Sequence, residues 1–237
     1  MLPKIDVPSY DIVLPVSKTK VTFRPFLVKE QKILLMAMES EESDFIESNI
    51  KQILRNCSLT ELNIDDLPLV DIEYYFLNLR AKSVGEEIET KYKCENVVNE
   101  KPCGNIMDVK YNVLEVDVRI PEGDGLIKLA EDIGIKMKYP SFAVLNKLKS
   151  QESASVAFEL IAECIEYVYD KDNLYYTNEI PKEELEAFLD QITTEQFKDV
   201  QKFIEELPRI EKTIDIKCSK CGFEHKIVSK ELTDFFI

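Results

Sequence analysis

The chain has no tryptophan, one histidine, six glycines and five arginines among its 237 residues. Each shortage removes a kind of chemistry. A Ser–His or Cys–His nucleophilic pair would have to use His225, which follows Cys221 by four residues and sits inside a cysteine motif of its own. Six glycines leave no phosphate-cradling loop, and neither the Gly-rich dinucleotide fingerprint nor a P-loop occurs. A zinc-protease helix motif is also missing, so the expectation is a protein that is not an enzyme. Positive charge is scarce as well: 30 Lys and Arg stand against 45 Asp and Glu, a formal net charge of −15. Surfaces that bind polyanions need clustered Lys and Arg, whereas Arg24, Arg55, Arg80, Arg119 and Arg209 are scattered. No apolar run approaches the roughly 20 residues that span a bilayer. The opening MLPKIDVPSY has neither the basic nor the apolar block of a secretory signal. A soluble intracellular protein is expected, with no nucleic acid, membrane or small-molecule substrate among its partners.

What is present is an ordinary apolar fraction, 45%, on a chain long enough for one or two domains. Residues 9–14 and 19–24 alternate, with Tyr10, Ile12 and Leu14 on one face and Val21 and Phe23 on another, which predicts an N-terminal β-hairpin ended by Pro25. Helical spacing follows over 28–38 and through Phe45, Ile46, Ile50, Ile53 and Leu54. A third helix, 66–82, is apolar on nearly every side and therefore needs burial all round, by its own chain or by a partner. After Gly85 the period becomes two, over 87–93, 106–112, 114–120 and 133–139. A helical pattern returns over 153–169 and 182–192, with Pro181 at the first helical position. Thr193 and Gln196 form a capping box for a helix that Pro208 ends. Residues 210–217 and 223–228 read as strands. The expected class is α+β, in four stretches: 1–84, hairpin plus helices; 85–140, β region; 141–209, helices; and 210–237, closing strands and tail.

Six cysteines divide into two kinds. Cys57 and Cys164 fall on helical apolar patterns and read as small core residues. Cys94 and Cys103, in CENVVNEKPCG, and Cys218 and Cys221, in CSKCG, each end in Cys-Gly and stand between alternating strands. That is the layout of two metal knuckles, in which a strand delivers one thiolate and a glycine lets the chain reverse. Two such hairpins side by side offer four sulfurs to one structural Zn²⁺, at about 2.3 Å each. The ribbon would be split, because 114 residues separate Cys103 from Cys218. It would staple the β region to the C-terminal strands, with the helical block as an insertion. Four thiolates fill the shell and leave no open position for catalysis. A disulfide suits a reducing compartment poorly, and a redox CxxC would need a helix N-terminus where GFEHKIV reads as strand. Reduced, unliganded thiols stay open as an alternative, as does sharing of the sulfurs between two chains. Lys91, Lys93, Lys101, Lys217, Lys220 and Lys226 either stabilise the thiolates or merely face solvent. His225 reads as a strand residue beside the site, with a replacement-ligand role as the other possibility.

Several stretches resemble the baseplate hub proteins of T4-like contractile-tailed phages: RPFLVKEQKILLMA (24–37), FLNLRAKSVGE (76–86), IGIKMKYPS (133–141), AECIEYVYDKDNLY (162–175) and CSKCGFEHKIVSKELTDFF (218–236). The resemblance covers nearly the whole chain and rests on structural rather than catalytic motifs. It implies a small hub component, or a transient hub assembly factor, made in the bacterial cytoplasm and working in the virion tail. Its partners would be other hub and tail proteins, or further copies of itself. Phe235, Phe236 and Ile237 would anchor in partner pockets or pack on the chain's own core. The contrasting reading is a zinc-ribbon regulator that binds nucleic acid.

Overall fold

A computed structural model describes residues 5–39, 43–149 and 155–229. In chain order the elements are β1 (Tyr10–Val13), β2 (Lys20–Phe23), α1 (Val28–Glu39), α2 (Ser43–Cys57), α3 (Leu69–Val84), β3 (Glu87–Lys93), β4 (Val97–Val98), β5 (Lys101–Pro102), β6 (Ile106–Asn112) and β7 (Asp117–Arg119). There follow β8 (Leu126–Lys128), β9 (Gly134–Met137), α4 (Phe142–Lys149), α5 (Ser155–Cys164), β10 (Ile165–Tyr169), β11 (Leu174–Tyr176), α6 (Lys182–Leu189), α7 (Thr194–Glu205), β12 (Arg209–Lys217) and β13 (Glu224–Ser229). Helices and small antiparallel sheets are both present, so the α+β expectation holds. The chain divides into two units: residues 1–64, 70–119 and 209–237 form the first, and 65–69 with 120–208 the second.

In the first unit the predicted hairpin forms, with Tyr10 opposite Phe23. Val21 and Phe23 are fully buried, as their alternation requires. The amides of its turn are satisfied from elsewhere: Val16 and Ser17 each donate to the buried carboxylate of Asp71 at 2.8 Å. That carboxylate sits on α3, the helix that is apolar on both sides. The chain itself covers both. On one side Phe23 meets Tyr75 edge-on at 5.5 Å, and the Tyr75 hydroxyl donates to the Leu54 carbonyl at 3.2 Å. On the other, Val70, Leu77 and Ala81 pack with Ile88, Val109, Tyr111, Val113 and Ile210. Each buried Val, Leu or Ile among them contributes about 1.5–3 kcal/mol. The entry to α1 is held by a buried ion pair: Arg24 clasps Glu30 at 3.0 and 3.3 Å, and the Leu27 amide donates to the same carboxylate at 2.9 Å. β3 and β6 pair over their full predicted lengths, Glu87 opposite Asn112 and Lys93 opposite Ile106. β12 lies between β13 and β7. Of the predicted 114–120 strand only β7 pairs, because the chain must first turn out of β6.

In the second unit four antiparallel strands lie in the order β11-β10-β9-β8. Ile135, Met137, Ile161, Cys164, Ile165, Val168, Leu185 and Val200 make its core. The capping box of α7 forms as predicted: Thr193 accepts from the Gln196 amide, and the Gln196 side chain accepts from the Thr193 amide. Pro181 is the N-cap of α6, one position earlier than expected. The helix predicted over 153–169 ends at Cys164, and Ile165–Tyr169 is the strand β10. Its run IEYVY is β-branched and aromatic, and pairing with β9 on one side and β11 on the other outweighs the helical spacing. The segment between the knuckles is thus sheet as well as helix. Among the described residues no helix is long and apolar enough to cross a membrane. The predicted apolar tip Phe235–Ile237 lies outside the described residues.

Candidate metal centre

Two hairpins of the first unit carry the four cysteines, β3–β6 and β12–β13. Their tips are built alike. The Cys94 amide donates to the Asn105 carbonyl at 2.8 Å, as the Cys218 amide donates to Phe223 at 2.8 Å. The Gly104 amide donates to the Cys94 carbonyl at 3.1 Å, as Gly222 donates to Cys218 at 2.9 Å. Both glycines take left-handed backbone, φ 62° and 74°, which a side chain would strain. The wide first spacing has a simple cause. Residues 97–102 fold out as a miniature hairpin, β4 against β5, whose two turn residues Asn99 and Glu100 have φ 50° and 63°. The Cys103 amide closes its base on the Asn96 carbonyl at 2.7 Å. Without this ear, Cys94-Glu95-Asn96-Cys103 has the spacing of Cys218-Ser219-Lys220-Cys221.

The four ligand atoms all lie within 4.8 Å of one another. Cys94 Sγ is 3.6 Å from Cys221 Sγ, and Cys103 Sγ is 3.8 Å from Cys218 Sγ. A disulfide would bring two sulfurs to about 2.05 Å. Four sulfurs at about 2.3 Å from a tetrahedral zinc stand about 3.8 Å apart. Both of these pairs are near the second spacing and far from the first, and the four residues could hold one metal ion. Cys94, Cys103 and Cys218 are buried and Cys221 is half-buried.

Donors converge on these sulfurs, as a thiolate cluster requires. Asn96 and Asn105 point their side-chain amides at Cys221 (3.6 Å) and Cys218 (3.5 Å). The backbone amides of Cys221 and Lys220, against the opposing effect of burial, hold the Cys218 thiol down to about 6. The Phe223 amide, again against burial, lowers Cys221. Burial pushes Cys94 the other way, up to about 12, despite the Asn96 amide. His225 Nε2 lies 3.1 Å from Cys94 Sγ, its ring edge-on to Tyr92 and Phe223. It is not one of the four mutually close ligand atoms, and it stands beside the cluster as expected of a strand residue. Of the six lysines, all exposed, Lys220 reaches the site and donates to the Cys103 carbonyl at 3.1 Å, while Lys217 pairs with Glu224 at 3.2 Å. Cys57 and Cys164 are core residues, as predicted; burial raises their thiols to about 11 and about 12. Sequence reasoning missed Asn96 and Asn105. Their only signal is position, each two residues after a cysteine.

Comparison with known proteins agrees with the resemblance read from the residues. A family model described as T4 bacteriophage base plate protein matches residues 7–237. Over 228 residues the chain is 25% identical to the baseplate hub assembly protein gp26 of Enterobacteria phage T4, covering 96% of this chain and 97% of that protein. No solved structure matches. With a match that runs from the first hairpin through both knuckles, the chain belongs to the T4 bacteriophage base plate protein family.

Proposed function

We propose that this protein is a non-enzymatic component of a phage tail baseplate hub, acting through protein–protein contacts as the hub is built. The end-to-end likeness to a hub assembly protein carries this reading. We also propose that Cys94, Cys103, Cys218 and Cys221 hold one structural Zn²⁺ per chain. The spacing of the sulfurs supports it, and a full shell of four thiolates leaves the ion no open position for substrate or water. The role of such an ion is mechanical. It ties the β3–β6 hairpin to the β12–β13 hairpin across a sequence separation of 115 and keeps the first unit in one conformation. A rigid unit loses less freedom on assembly, so more of its contact energy appears as affinity.

The name of the relative, a hub assembly protein, favours a second form of the same reading, an assembly factor that leaves the finished tail. Two measurements separate the possibilities. Co-expression with the other hub proteins should give a stable complex, and failure to co-purify in any combination would remove both forms. Quantitative mass spectrometry of purified particles then decides between them: presence in the virion marks a resident subunit, absence an assembly factor confined to the host cytoplasm.

A further inference from the structure

The acidic charge of the chain is unevenly placed. The second unit holds 21 acidic against nine basic side chains, net −12, whereas the first holds 24 against 21, net −3. Within the acidic unit the sheet leaves part of its inner face uncovered. Ile135 is opposite Val168, and Val168 is opposite Tyr175, so the three stand on one face of β9, β10 and β11. Ile135 and Val168 are buried, but Tyr175 is 42% exposed. Beside it lies a cavity of about 330 Å³ with apolar walls from Ile133, Tyr175, Ile180 and Phe188 and two carboxylates, Asp170 and Glu184.

The carboxylates differ in how they are held. Asp170 is fixed in place, accepting from the amides of Asp172 (2.9 Å) and Asn173 (2.8 Å) and from the Tyr175 hydroxyl (2.8 Å). Glu184 is exposed on the first turn of α6. The loop that presents Ile133 adds Glu131 and Asp132. Of the nearby cations, Lys182 pairs with Glu186 at 3.5 Å, and Lys171 stands between Asp170 and Asp172 in the sequence. β11 is also the outer strand of its sheet, and among the described residues no strand pairs with its free side. Its residues Leu174, Tyr175 and Tyr176 include none of the lysines or prolines that blunt an edge.

We propose that the groove and the free edge of β11 together receive an extended segment of a partner protein that bears lysine or arginine next to an apolar side chain. The segment adds a strand to β11, its apolar side chain enters the cavity, and its cations meet Asp170 and Glu184. Charge selects this occupant. A second copy docking through its own second unit would bring another net −12 to the same place, and like charges facing each other oppose docking. The proposal rests on the reading that the protein works by protein contacts, and it names the chemistry of one such contact.

The test uses the full-length protein and fluorescence anisotropy with three labelled seven-residue peptides, alternating Lys–Leu, Lys–Ser and Glu–Leu. The Lys–Leu peptide should bind at least about tenfold more tightly than either of the others, with affinity that falls as salt is added. Glu184→Lys and Ile133→Ser should each weaken it several-fold at unchanged melting temperature. Leu126→Ser, on the opposite edge of the sheet, should leave it unchanged. Equal binding of the Lys–Leu and Lys–Ser peptides, no binding, or full affinity in both groove variants would overturn the proposal. The co-purification experiment fails or succeeds independently. If the wild type and Glu184→Lys join the hub proteins equally well, the functional reading stands and the groove is not the contact.

Discussion

Replacing Cys218 by serine removes one sulfur from the cluster and, if one ion closes it, opens the link between hairpins that are 115 residues apart. The cost follows from the chain. Closing a loop of that length removes about 5 kcal/mol of conformational entropy from the unfolded state at 25 °C, by the same reasoning that applies to a covalent cross-link. Lost metal bonds add to this, while native strain and the three remaining sulfurs subtract from it, so about 5 kcal/mol is the order of the cost to the first unit. Urea unfolding of the zinc-loaded protein, followed by circular dichroism and by hydrogen exchange on β3 and β12, measures it. With a slope of about 1–3 kcal/mol per molar urea, the midpoint should fall by roughly 2 M or more. A strong chelator should bring the wild type down to the variant and leave the variant unmoved. Cys164→Ser is the matching control: it puts a hydroxyl into an apolar core and destabilises the second unit, but it leaves metal content unchanged. If Cys218→Ser unfolds within about 1 kcal/mol of the wild type, and the chelator affects neither, no ion links the two hairpins and the cross-link reasoning is wrong.

Other consequences can be checked with simpler variants. Deleting residues 97–102 joins Asn96 to Cys103 and converts the first knuckle to the spacing of the second; it should keep one metal per chain, and loss of metal would show that the ear shapes the site. Arg24→Ala leaves the buried Glu30 carboxylate with the Leu27 amide and the exposed Lys29 ammonium at 3.4 Å, and should cost about 3 kcal/mol in urea or thermal unfolding, more than Glu30→Gln. Burial alone would raise the Glu30 carboxyl, but the Arg24 fork and the Leu27 amide outweigh it and hold it below the usual range. Its stabilising effect is therefore complete above the unfolded carboxylate value of about 4.3 and is lost as pH falls through the lower folded value, so the cost of Arg24→Ala should shrink in acid. Thr193→Ala removes one half of the α7 capping box and should cost about 0.5–2 kcal/mol with no effect on metal binding. Gly222→Ala has free space for its Cβ, and should still cost about 1–2 kcal/mol through the left-handed backbone at φ 74°.

The parts of the fold that the sequence made legible are those whose local signals and tertiary partners agree. β3, β6, β12 and β13 alternate and are paired along that alternation, and α7 begins at its capping box. The break at Cys164 was hidden because Val168 continues the helical stripe of Val156 and Ile161 while also lying on the core face of a strand. Only the presence of β9 and β11 on either side decides between the two, and that is tertiary information. At the site, spacing and the Cys-Gly pairs pointed to the four thiols. The equivalence of the two knuckles was obscured by six inserted residues, and it became visible only in matched backbone hydrogen bonds. Asn96 and Asn105 were invisible for a different reason: an asparagine in a turn has many local uses, and its aim at a sulfur depends on where a hairpin more than a hundred residues away comes to rest. The groove beside β11 belongs to the same class, since an uncovered sheet face is a property of packing.

Whether a single ion closes these four sulfurs together is tested most directly by native mass spectrometry of the freshly purified protein before and after chelation, with X-ray absorption at the zinc edge on the same sample. The expected result is one zinc per chain, four sulfur neighbours at about 2.3 Å, and loss of the ion on chelation. A metal-free mass with four freely alkylated thiols at Cys94, Cys103, Cys218 and Cys221, or a zinc with nitrogen or oxygen in its first shell, would contradict it.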